Sequence, residues 1–557
     1  MTARAEVSLD ARQEVEVVAS SDRTKVIFAT TIGTAFEFYE FLLYGALAAN
    51  IGKQFFSSVN PTAAYVFALL AFAAGFIVRP LGAVVFGRVG DLVGRKYTFL
   101  ITVVVMGVAT IAVGILPSYA SIGIAAPIIL ICLRMLQGLA LGGEYGGAAV
   151  YLAEHAPAGK RNIFTAWLQL SSTLGLVMAL TIVIACRATL TPEAFDAWGW
   201  RIPFVFSVVI LAVSVWLRMS LRESPLFEDM KRAGTESKAP LTESFARIDN
   251  LKVILKALFG IVAGMTVIWY GAQIYTLVFL TRVLKMDPQS ANFVLTVALL
   301  VGIPVYLAVG YVSDRVGRKP VILAGYCLAA LTIFPIFKGI THYTNPALER
   351  AQASSPVLVL SDPKECSFQF NLVGTSKFTS SCDVAKAALT LRGIPYANGP
   401  LPAGETAQIV VGSSAVRSYD AVSADALERS KDFNQMLDST LAGVNYPARA
   451  NPSEINYVMV TILIALLVMY AAIAYSPTAA ALVELFPTRI RYTSVSLPYH
   501  LGVGWIGGFF PAIALAIQSE TGSLYDGLWY ALAVIVVSIV VMVLFVRETK
   551  DVNLENN

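Results

Sequence analysis

The chain has 557 residues, of which 56% are hydrophobic and only 14% are charged. Soluble domains carry about 25% charged residues, so this composition excludes an ordinary soluble protein and indicates one built to lie in a membrane. The formal net charge of +4 says little as a total, because the position of each charge relative to the membrane matters more than the sum.

The N-terminal half begins with a polar segment and continues with six apolar stretches. Residues 1–24 are mixed in charge and show no cleavable signal peptide, so we expect a cytoplasmic tail. The apolar stretches are long enough to cross a hydrocarbon core of about 30 Å. They form a predicted domain over 25–221, with spans near 25–50, 64–86, 97–116, 122–152, 163–185 and 202–221.

A polar segment, 222–252, follows this domain, and we expect it to be a cytoplasmic linker. The next six spans lie near 253–281, 291–312, 320–342, 455–483, 492–518 and 523–546. The predicted fold is an all-α membrane protein with twelve transmembrane helices, spans 1 to 12, in two six-helix halves. The second half is divided into 253–342 and 454–548, and 549–557 is a second cytoplasmic tail.

The insert 343–453 separates spans 9 and 10. Its apolar runs Val357–Leu360 and Gln408–Val411 alternate with Gly, Pro and Asp, which predicts short β-strands in a small extracytoplasmic domain. Cys366 and Cys382 would then face an oxidising space, so a disulfide between them is a hypothesis. The alternative is a disordered loop with two unpaired thiols.

The distribution of Lys and Arg predicts the orientation. With the N-terminus inside, basic residues concentrate in the inside segments. The short outside loops then hold only Lys53, Arg187, Arg201, Arg282 and Lys285. Because cytoplasmic loops carry an excess of basic residues, we expect both termini inside and the insert outside.

One loop motif occurs twice, once in each half. Gly87–Lys96 reads Gly-Arg-Val-Gly-Asp-Leu-Val-Gly-Arg-Lys, and Gly310–Lys319 repeats its pattern of Gly, Asp, Gly, Arg and Lys. Such a repeat between spans indicates a duplicated multi-span protein. We expect gating loops that control a rocking motion, with these residues at their centre: Gly87, Asp91, Gly94, Arg95, Gly310, Asp314, Gly317 and Arg318.

Further segments give the chain its resemblance to a known family. They include Glu37–Phe41 in span 1, Arg79-Pro80-Leu81-Gly82, Arg134–Gly138, Gly142–Gly147 and Glu484–Tyr492. With the repeated motif they resemble the major facilitator superfamily, in its metabolite:proton symporter branch of 2-oxoglutarate, citrate, shikimate and proline/betaine carriers. The resemblance implies two pseudo-symmetric halves that work by alternating access.

This sequence departs from that branch in two places. The usual Glu-Trp-Tyr-Asp-Phe of span 1 reads Glu-Phe-Tyr-Glu-Phe, so Phe38 replaces Trp and Glu40 replaces Asp. The insert 343–453 is absent from the better-known members. Both departures concern the substrate more than the fold.

Charges within spans are expensive, at roughly 2.5–3.5 kcal/mol each, so each needs a reason. Glu37 and Glu40 share a helix face, and two close carboxylates favour proton exchange. The alternative is that cations neutralise both carboxylates and that the two residues only stabilise the N-terminal half. Arg134 is the expected counter-charge for one of these carboxylates. It would either take part in proton coupling and substrate binding or form a purely structural ion pair. Glu144 is expected to pair with the first loop motif instead.

Arg79 is the first candidate for substrate binding, because a guanidinium suits bidentate recognition of a carboxylate. The resemblance also implies anion recognition by Arg201, although anchoring at the membrane interface is an equal alternative. Tyr44, Tyr270 and Gln273 are further candidates that could donate hydrogen bonds to substrate. His500, inside span 11, is a second proton-coupling candidate.

These observations predict a secondary active transporter that couples a proton to a small organic anion, such as a di- or tricarboxylate or a shikimate-like acid. The alternatives are uptake of a zwitterionic osmolyte, such as proline or betaine, and a transporter-like nutrient sensor. No phosphate-binding loop, catalytic triad spacing or metal-ligand cluster is present, so we expect no enzyme, cofactor or metal site. We expect a monomer in the bacterial inner membrane, in contact with lipid and not with nucleic acid.

Overall fold

A computed structural model describes residues 9–57, 61–157, 159–221, 223–235, 237–367, 379–423 and 425–554. The first eight residues of the predicted N-terminal tail, the last three of the C-terminal tail and part of the insert lie outside this range.

The N-terminal half is a bundle of six long helices. Span 1 is Leu9–Ala46, span 2 Pro61–Leu92, span 3 Arg95–Ile115, span 4 Ala125–His155, span 5 Arg161–Thr189 and span 6 Gly199–Met219, whose first turn is a 3-10 helix. Short helices join them at Ala48–Phe55, Tyr119–Ile122 and Pro192–Ala197. The helix of span 1 begins at Leu9, so residues 9–24 of the expected cytoplasmic tail are helical.

The linker holds two short helices, Pro225–Ala233 and Pro240–Phe245. In the second half, span 7 is Ile248–Val283, span 8 Pro288–Val316, span 9 Arg318–Thr344, span 10 Tyr457–Leu485, span 11 Thr488–Thr521 and span 12 Leu528–Phe545. Span 10 is divided into Tyr457–Tyr475 and Thr478–Leu485. Span 11 begins with a 3-10 turn, Thr488–Ile490, and continues as Arg491–Leu501 and Phe510–Thr521. Wider π-helical turns interrupt spans 7 and 11, at Ala257–Val262, Gly271–Tyr275, Phe279–Val283 and Gly502–Gly507.

Within the described residues, eleven helices are long and apolar enough to cross a membrane. Span 2, Pro61–Leu92, is a further helix at the position of the second predicted span, so each predicted span has a helical counterpart. The two halves meet where span 2 packs on span 11 and span 5 packs on span 8.

Glycines allow the closest helix contacts. A Cβ on Gly138 of span 4 would lie 2.0 Å from the Gly75 carbonyl oxygen of span 2. A Cβ on Gly90 would lie 2.0 Å from the ring of Tyr492 in the other half. Larger residues at either position would push these helices apart.

The insert is a small α/β unit. Its four strands are β1 (Val357–Ser361), β2 (Ala397–Pro400), β3 (Gln408–Val411) and β4 (Ser414–Arg417), in the sheet order β2-β1-β3-β4. β1 pairs parallel with β2 and antiparallel with β3, and β3 pairs antiparallel with β4. The prediction of strands at the two apolar runs is confirmed. The described part of the insert also contains three helices that were not predicted, Pro346–Ser354, Ser381–Arg392 and Ala426–Gly443.

The insert sits on the second half, at the end of the bundle remote from the repeated motifs. A disulfide joins Cys366 and Cys382. The buried Lys386 ammonium lies 2.9 Å from Glu520 of span 11. The Tyr396 hydroxyl donates to the carbonyl of Ser519. These contacts attach the insert to the C-terminal half.

Candidate functional site

A buried ion cluster ties spans 1, 4 and 6 together. The Arg218 guanidinium near the end of span 6 lies 3.1 Å from Glu37 Oε1 in span 1 and donates to Glu144 Oε2 in span 4 at 3.0 Å. The Thr34 hydroxyl donates to Glu144 Oε1 at 2.8 Å. The three charged side chains are all buried. Two carboxylates therefore share one guanidinium, so the cluster is neutral when it holds one proton.

This cluster corrects two expected pairings. The ion-pair partner of Glu37 is Arg218 and not Arg134, because Arg218 reaches across from span 6. Glu144 also pairs with Arg218, and not with the first loop motif. This role of Arg218 was not predicted, because Arg218 lies close to the polar linker and its position in the sequence is that of a basic residue flanking a span on the inside.

Glu40 is connected to Arg134 through two intermediate side chains. The Thr110 hydroxyl lies 3.5 Å from Glu40 Oε2 and accepts from Gln137 Nε2 at 2.7 Å. Gln137 Oε1 in turn accepts from Arg134 Nη1. Glu37 and Glu40 therefore share a helix but have different partners, so one can change protonation without direct loss of the other's contacts.

Two buried arginines lie against the ring of Phe41. The Arg134 guanidinium is 4.6 Å from the centre of the Phe41 ring and 4.4 Å from that of Tyr44. The Arg79 guanidinium is 4.3 Å from Phe41 and 4.4 Å from Phe76. The structure thus brings the predicted site residues Arg79 and Arg134 together at Phe41, and Arg134 also contacts Tyr44.

Arg79 also faces the other half of the molecule. Its guanidinium lies close to the Tyr270 side chain in span 7. Arg79 is only 4% exposed. Among the described residues, no carboxylate forms an ion pair with it, and its Nε has no hydrogen-bond partner. A buried cation without a counter-ion is costly, so this position suits an anionic ligand.

A group of tyrosines continues this site across the interface between the halves. Tyr145 of span 4 stacks on Tyr499 of span 11 with ring centres 3.3 Å apart. The hydroxyls of Tyr499 and Tyr475 are 2.6 Å apart, and Gln169 Nε2 donates to the Tyr145 hydroxyl at 2.7 Å. Tyr145 was not among the predicted site residues, although it directly follows Glu144 in span 4.

Gln273 and His500 are buried without hydrogen-bond partners in the described part of the chain. Neither the amide oxygen nor the amide nitrogen of Gln273 is paired, and neither ring nitrogen of His500 is paired. His500 lies close enough to Arg79 to experience its charge. Unpaired buried polar groups cost about 1–3 kcal/mol each, so these side chains are suited to meet water or a polar substrate.

Arg201 lies elsewhere. Its guanidinium donates to the carbonyls of Gly114 and Leu116, at the end of span 3, at 2.9 and 2.7 Å. It also lies over the ring of Trp200 at 4.4 Å. These are the contacts expected of an anchoring residue, and the structure does not bring Arg201 together with the group around Arg79.

The two loop motifs lie at one end of the bundle, which we call the gate end, and each contacts the opposite half. Asp91 accepts from the backbone N–H groups of Tyr492 and Thr493 in span 11, at 3.2 and 3.0 Å. Asp314 accepts from those of Asn162 and Ile163 in span 5, both at 2.9 Å. Because a helix N-terminus attracts negative charge, the two aspartates hold the halves together.

Two mirrored ion chains reinforce this contact. In the first, Glu154 at the end of span 4 lies 3.6 Å from Arg95 and 2.9 Å from Arg491 of the other half. In the second, Glu484 at the end of span 10 lies 3.0 Å from Arg318 and 3.6 Å from Arg161 of the other half. The motif arginines thus act through a glutamate to reach an arginine across the interface.

Glutamates outside the spans cap the helices that follow the motifs. Glu223 accepts from the backbone N–H groups of Arg95 and Lys96. Glu548 accepts from those of Arg318 and Lys319, at 2.8 and 3.0 Å.

Partial burial acts to raise the pKa of Glu548, but backbone hydrogen bonds outweigh it and hold that pKa below its usual range. The motif glycines Gly94 and Gly317 make the preceding turns at φ +133° and +120°, where a side chain would be strained.

The C-terminal segment closes over the gate end. The Arg161 guanidinium donates to the Val552 carbonyl. The Leu554 carbonyl accepts from the Thr488 hydroxyl at 3.2 Å and from Arg491 at 3.5 Å. Leu554 is 2% exposed. The segment therefore joins an arginine of the first half to residues of the second.

Two helical halves with mirrored gate contacts define a transporter of the major facilitator class. The family model described as sugar (and other) transporter matches residues 26–258 and 436–557. The chain belongs to this family of membrane transporters, which are not enzymes.

Curated relatives agree with this assignment. The inner membrane metabolite transport protein YhjE of Escherichia coli is 36% identical over 61% of this chain and 78% of its own length. The shikimate transporter of the same organism is 34% identical over 60% of this chain and 76% of its own length. The proline/betaine transporter of Salmonella typhimurium is 33% identical over 58% of this chain and 65% of its own length.

Solved structures share the fold. The proton:xylose symporter XylE matches with a TM-score of 0.61 at 14% identity, over 96% of this chain and 98% of that one. An inward-open structure of XylE from Escherichia coli matches with a TM-score of 0.52 at 14% identity, over 96% and 98%. The family model and the curated relatives, together with this fold, make the chain a multi-pass secondary transporter of small molecules.

Proposed function

We propose that this transporter couples a proton to the movement of a small organic anion, such as a di- or tricarboxylate or a shikimate-like acid. The observation that carries the proposal is the position of Arg79, buried between the halves without an ion-pair partner in the described chain. A substrate carboxylate would supply the missing counter-ion through two parallel hydrogen bonds. The Tyr270 hydroxyl and the Gln273 amide would bind the rest of the substrate from span 7.

The proton would be held in the N-terminal half. Arg218 balances only one of its two carboxylates, Glu37 and Glu144, so the cluster has room for one proton. Glu40, on the same helix, connects to Arg134 through Thr110 and Gln137. Loss or gain of a proton would change the charge next to Phe41, whose ring touches both arginines of the site. The proposed proton site and the proposed substrate site would therefore be linked through Phe41.

Alternating access would open one end of the bundle at a time. The gate end is closed in the structure by Asp91 and Asp314, and we place this end in the cytoplasm with both termini, as the distribution of basic residues predicts. The insert would then face outward from the inner membrane. Substrate would enter on the insert side and bind at Arg79, about 18 Å along span 2 from Asp91.

A zwitterionic osmolyte is the second candidate. Arg79 would bind its carboxylate in the same way. The rings of Phe41, Phe76 and Tyr270 lie beside that position, and aromatic faces attract quaternary ammonium groups. The names of several relatives, among them the proline/betaine transporter of Salmonella typhimurium, support this alternative as much as the shikimate transporter supports the first.

Uptake into proteoliposomes would test the proposal and separate its alternatives. The panel would hold labelled dicarboxylates, tricarboxylates, shikimate, proline and betaine, with wild type beside Arg79→Lys. Lysine keeps the charge and loses the bidentate geometry, so we expect KM for the transported acid to rise about 10-fold or more. Arg88→Lys, an exposed arginine on the same helix, is the control. Equal KM in Arg79→Lys and wild type would remove Arg79 from the site.

A further inference from the structure

A cleft lies at the gate end, away from the group around Arg79. Its volume is about 400 Å³. It lies between the linker and the start of span 11, and is lined by Ser237, Lys238, Ala239, Thr242, Glu243, Ala246, Arg247 and Arg489. Three cationic side chains thus meet one carboxylate. Neither the predicted transport mechanism nor the gate contacts use this cleft.

Glu243 orients the two guanidinium groups of the cleft. Its Oε1 lies 2.7 Å from Arg489 Nη2 and 3.7 Å from Arg247 Nη1. The Glu243 side chain is 12% exposed, whereas those of Arg489 and Arg247 are 48% and 66% exposed. The carboxylate is therefore more deeply buried than the two guanidinium side chains, which stay partly exposed to solvent.

We propose that this cleft binds a phosphate group. One carboxylate can balance only one of its three cations, so the lining carries a formal charge of +2 that the negative charge of a phosphate would offset in full or in part. Guanidinium groups match phosphate oxygens in paired hydrogen bonds, and Lys238 adds a third charge. The Thr242 hydroxyl can donate to a phosphate oxygen. The volume is ample for a phosphate and for part of a larger molecule attached to it.

Occupation of the cleft would also act on the gate. The Ser494 hydroxyl of span 11 donates to that of Ser244 in the linker helix at 3.0 Å. Tyr492 and Thr493, whose N–H groups bind Asp91, lie between Arg489 and Ser494 in the same helix. A phosphate bridging Arg247 of the linker to Arg489 of span 11 would therefore hold the linker against the closed gate. Binding to the closed form alone stabilises that form.

The phosphate could belong to a soluble molecule or to a lipid headgroup, and one experiment distinguishes the two. The full chain would be placed in nanodiscs of phosphatidylcholine, with or without inorganic phosphate, and in nanodiscs that contain phosphatidylglycerol. The readout is the midpoint of thermal unfolding, with potassium chloride at matched ionic strength to remove screening effects. A rise of a few degrees with inorganic phosphate supports a soluble ligand. A rise only with phosphatidylglycerol supports a lipid headgroup.

Variants show whether the response belongs to this cleft. We expect the double variant Arg247→Gln/Arg489→Gln to show no rise of the unfolding midpoint. Lys238→Gln, which breaks no ion pair among the described residues, should show a smaller rise than wild type. Lys252→Gln is the control, because Lys252 pairs with Asp249 outside the cleft. No response to either phosphate source, or an unchanged response in both cleft variants, would overturn the proposal. The readout needs no transport, so it is independent of the proposed substrate.

Discussion

Asp91 and Asp314 make equivalent contacts, each from its own half of the molecule to the opposite half. Each carboxylate belongs to the loop motif of one half and accepts two backbone hydrogen bonds from the first turn of a helix in the other half. The duplication visible in the sequence is therefore a duplication of the gate contact. It holds the closed end of the bundle from both sides.

The first prediction concerns this gate. Asp314→Asn removes the negative charge that binds Asn162 and Ile163 and keeps the size of the side chain. Hydrogen bonds to a charged group contribute about 1.5–3 kcal/mol, so we expect the population with the gate end open to rise roughly 10-fold or more. Alkylation of a cysteine placed at Ser313, which is buried in the closed form, measures this population.

Asp249→Asn is the matched control for that experiment, because Asp249 pairs with Lys252 at the start of span 7 and takes no part in the aspartate contacts of the gate. Its alkylation rate should equal that of the wild type. An Asp314→Asn variant that reacts no faster than the control would show that the aspartate contacts do not limit opening.

The second prediction concerns the C-terminal segment. A chain ending at Lys550 lacks the Val552 and Leu554 carbonyls, which bind Arg161 and Arg491. Hydrogen bonds that involve a charged group contribute about 1.5–3 kcal/mol each, so the gate should open more often than in wild type. The same alkylation assay measures this change. Replacing Asp551 with Asn keeps every backbone carbonyl and should leave the rate unchanged, and a truncated chain with an unchanged rate would contradict the prediction.

The third prediction is a pH dependence at Glu548. Its pKa in the folded protein is lowered, so the carboxylate binds fewer protons there than in the unfolded chain. By linkage, its contribution to stability is complete above the ordinary glutamate pKa of about 4.3 and is lost as the pH falls through the lowered folded value. Thermal unfolding midpoints measured between pH 7 and pH 3 should therefore converge for wild type and Glu548→Gln at the acid end.

Glu365 provides the control for this titration, because it is an exposed glutamate of the insert. The Glu365→Gln midpoint should follow wild type at every pH. A constant difference between Glu548→Gln and wild type across the whole range would show that the cap acts without its charge.

The fourth prediction concerns the ion cluster. Arg218→Met leaves Glu37 and Glu144 buried without their cation, and breaking a buried ion pair in this way costs about 3–5 kcal/mol. Adding Glu144→Gln to Arg218→Met removes one of the two uncompensated charges and should restore much of the lost stability. The unfolding midpoints of both variants in the same nanodiscs test this. A double variant no more stable than Arg218→Met would contradict the assigned pairing.

The sequence predicted the spans, the repeated motif and the strands of the insert, because each depends on a local pattern along the chain. It did not predict which charges meet. Arg218 pairs with Glu37 over a separation that only the packing of spans 1 and 6 decides. The contact of Tyr145 with Tyr499 likewise depends on how the two halves approach each other. Helical spacing places a side chain on a face and leaves its partner on another helix unspecified.

The central claim is that a proton and a carboxylate move together through Glu37 and Arg79. The most direct test is proton uptake in proteoliposomes on addition of each carboxylate and zwitterion, with wild type beside Glu37→Gln and Arg79→Ala. The account predicts external alkalinisation with an organic acid in wild type and its loss in both variants. Substrate uptake by wild type without any movement of protons would contradict it.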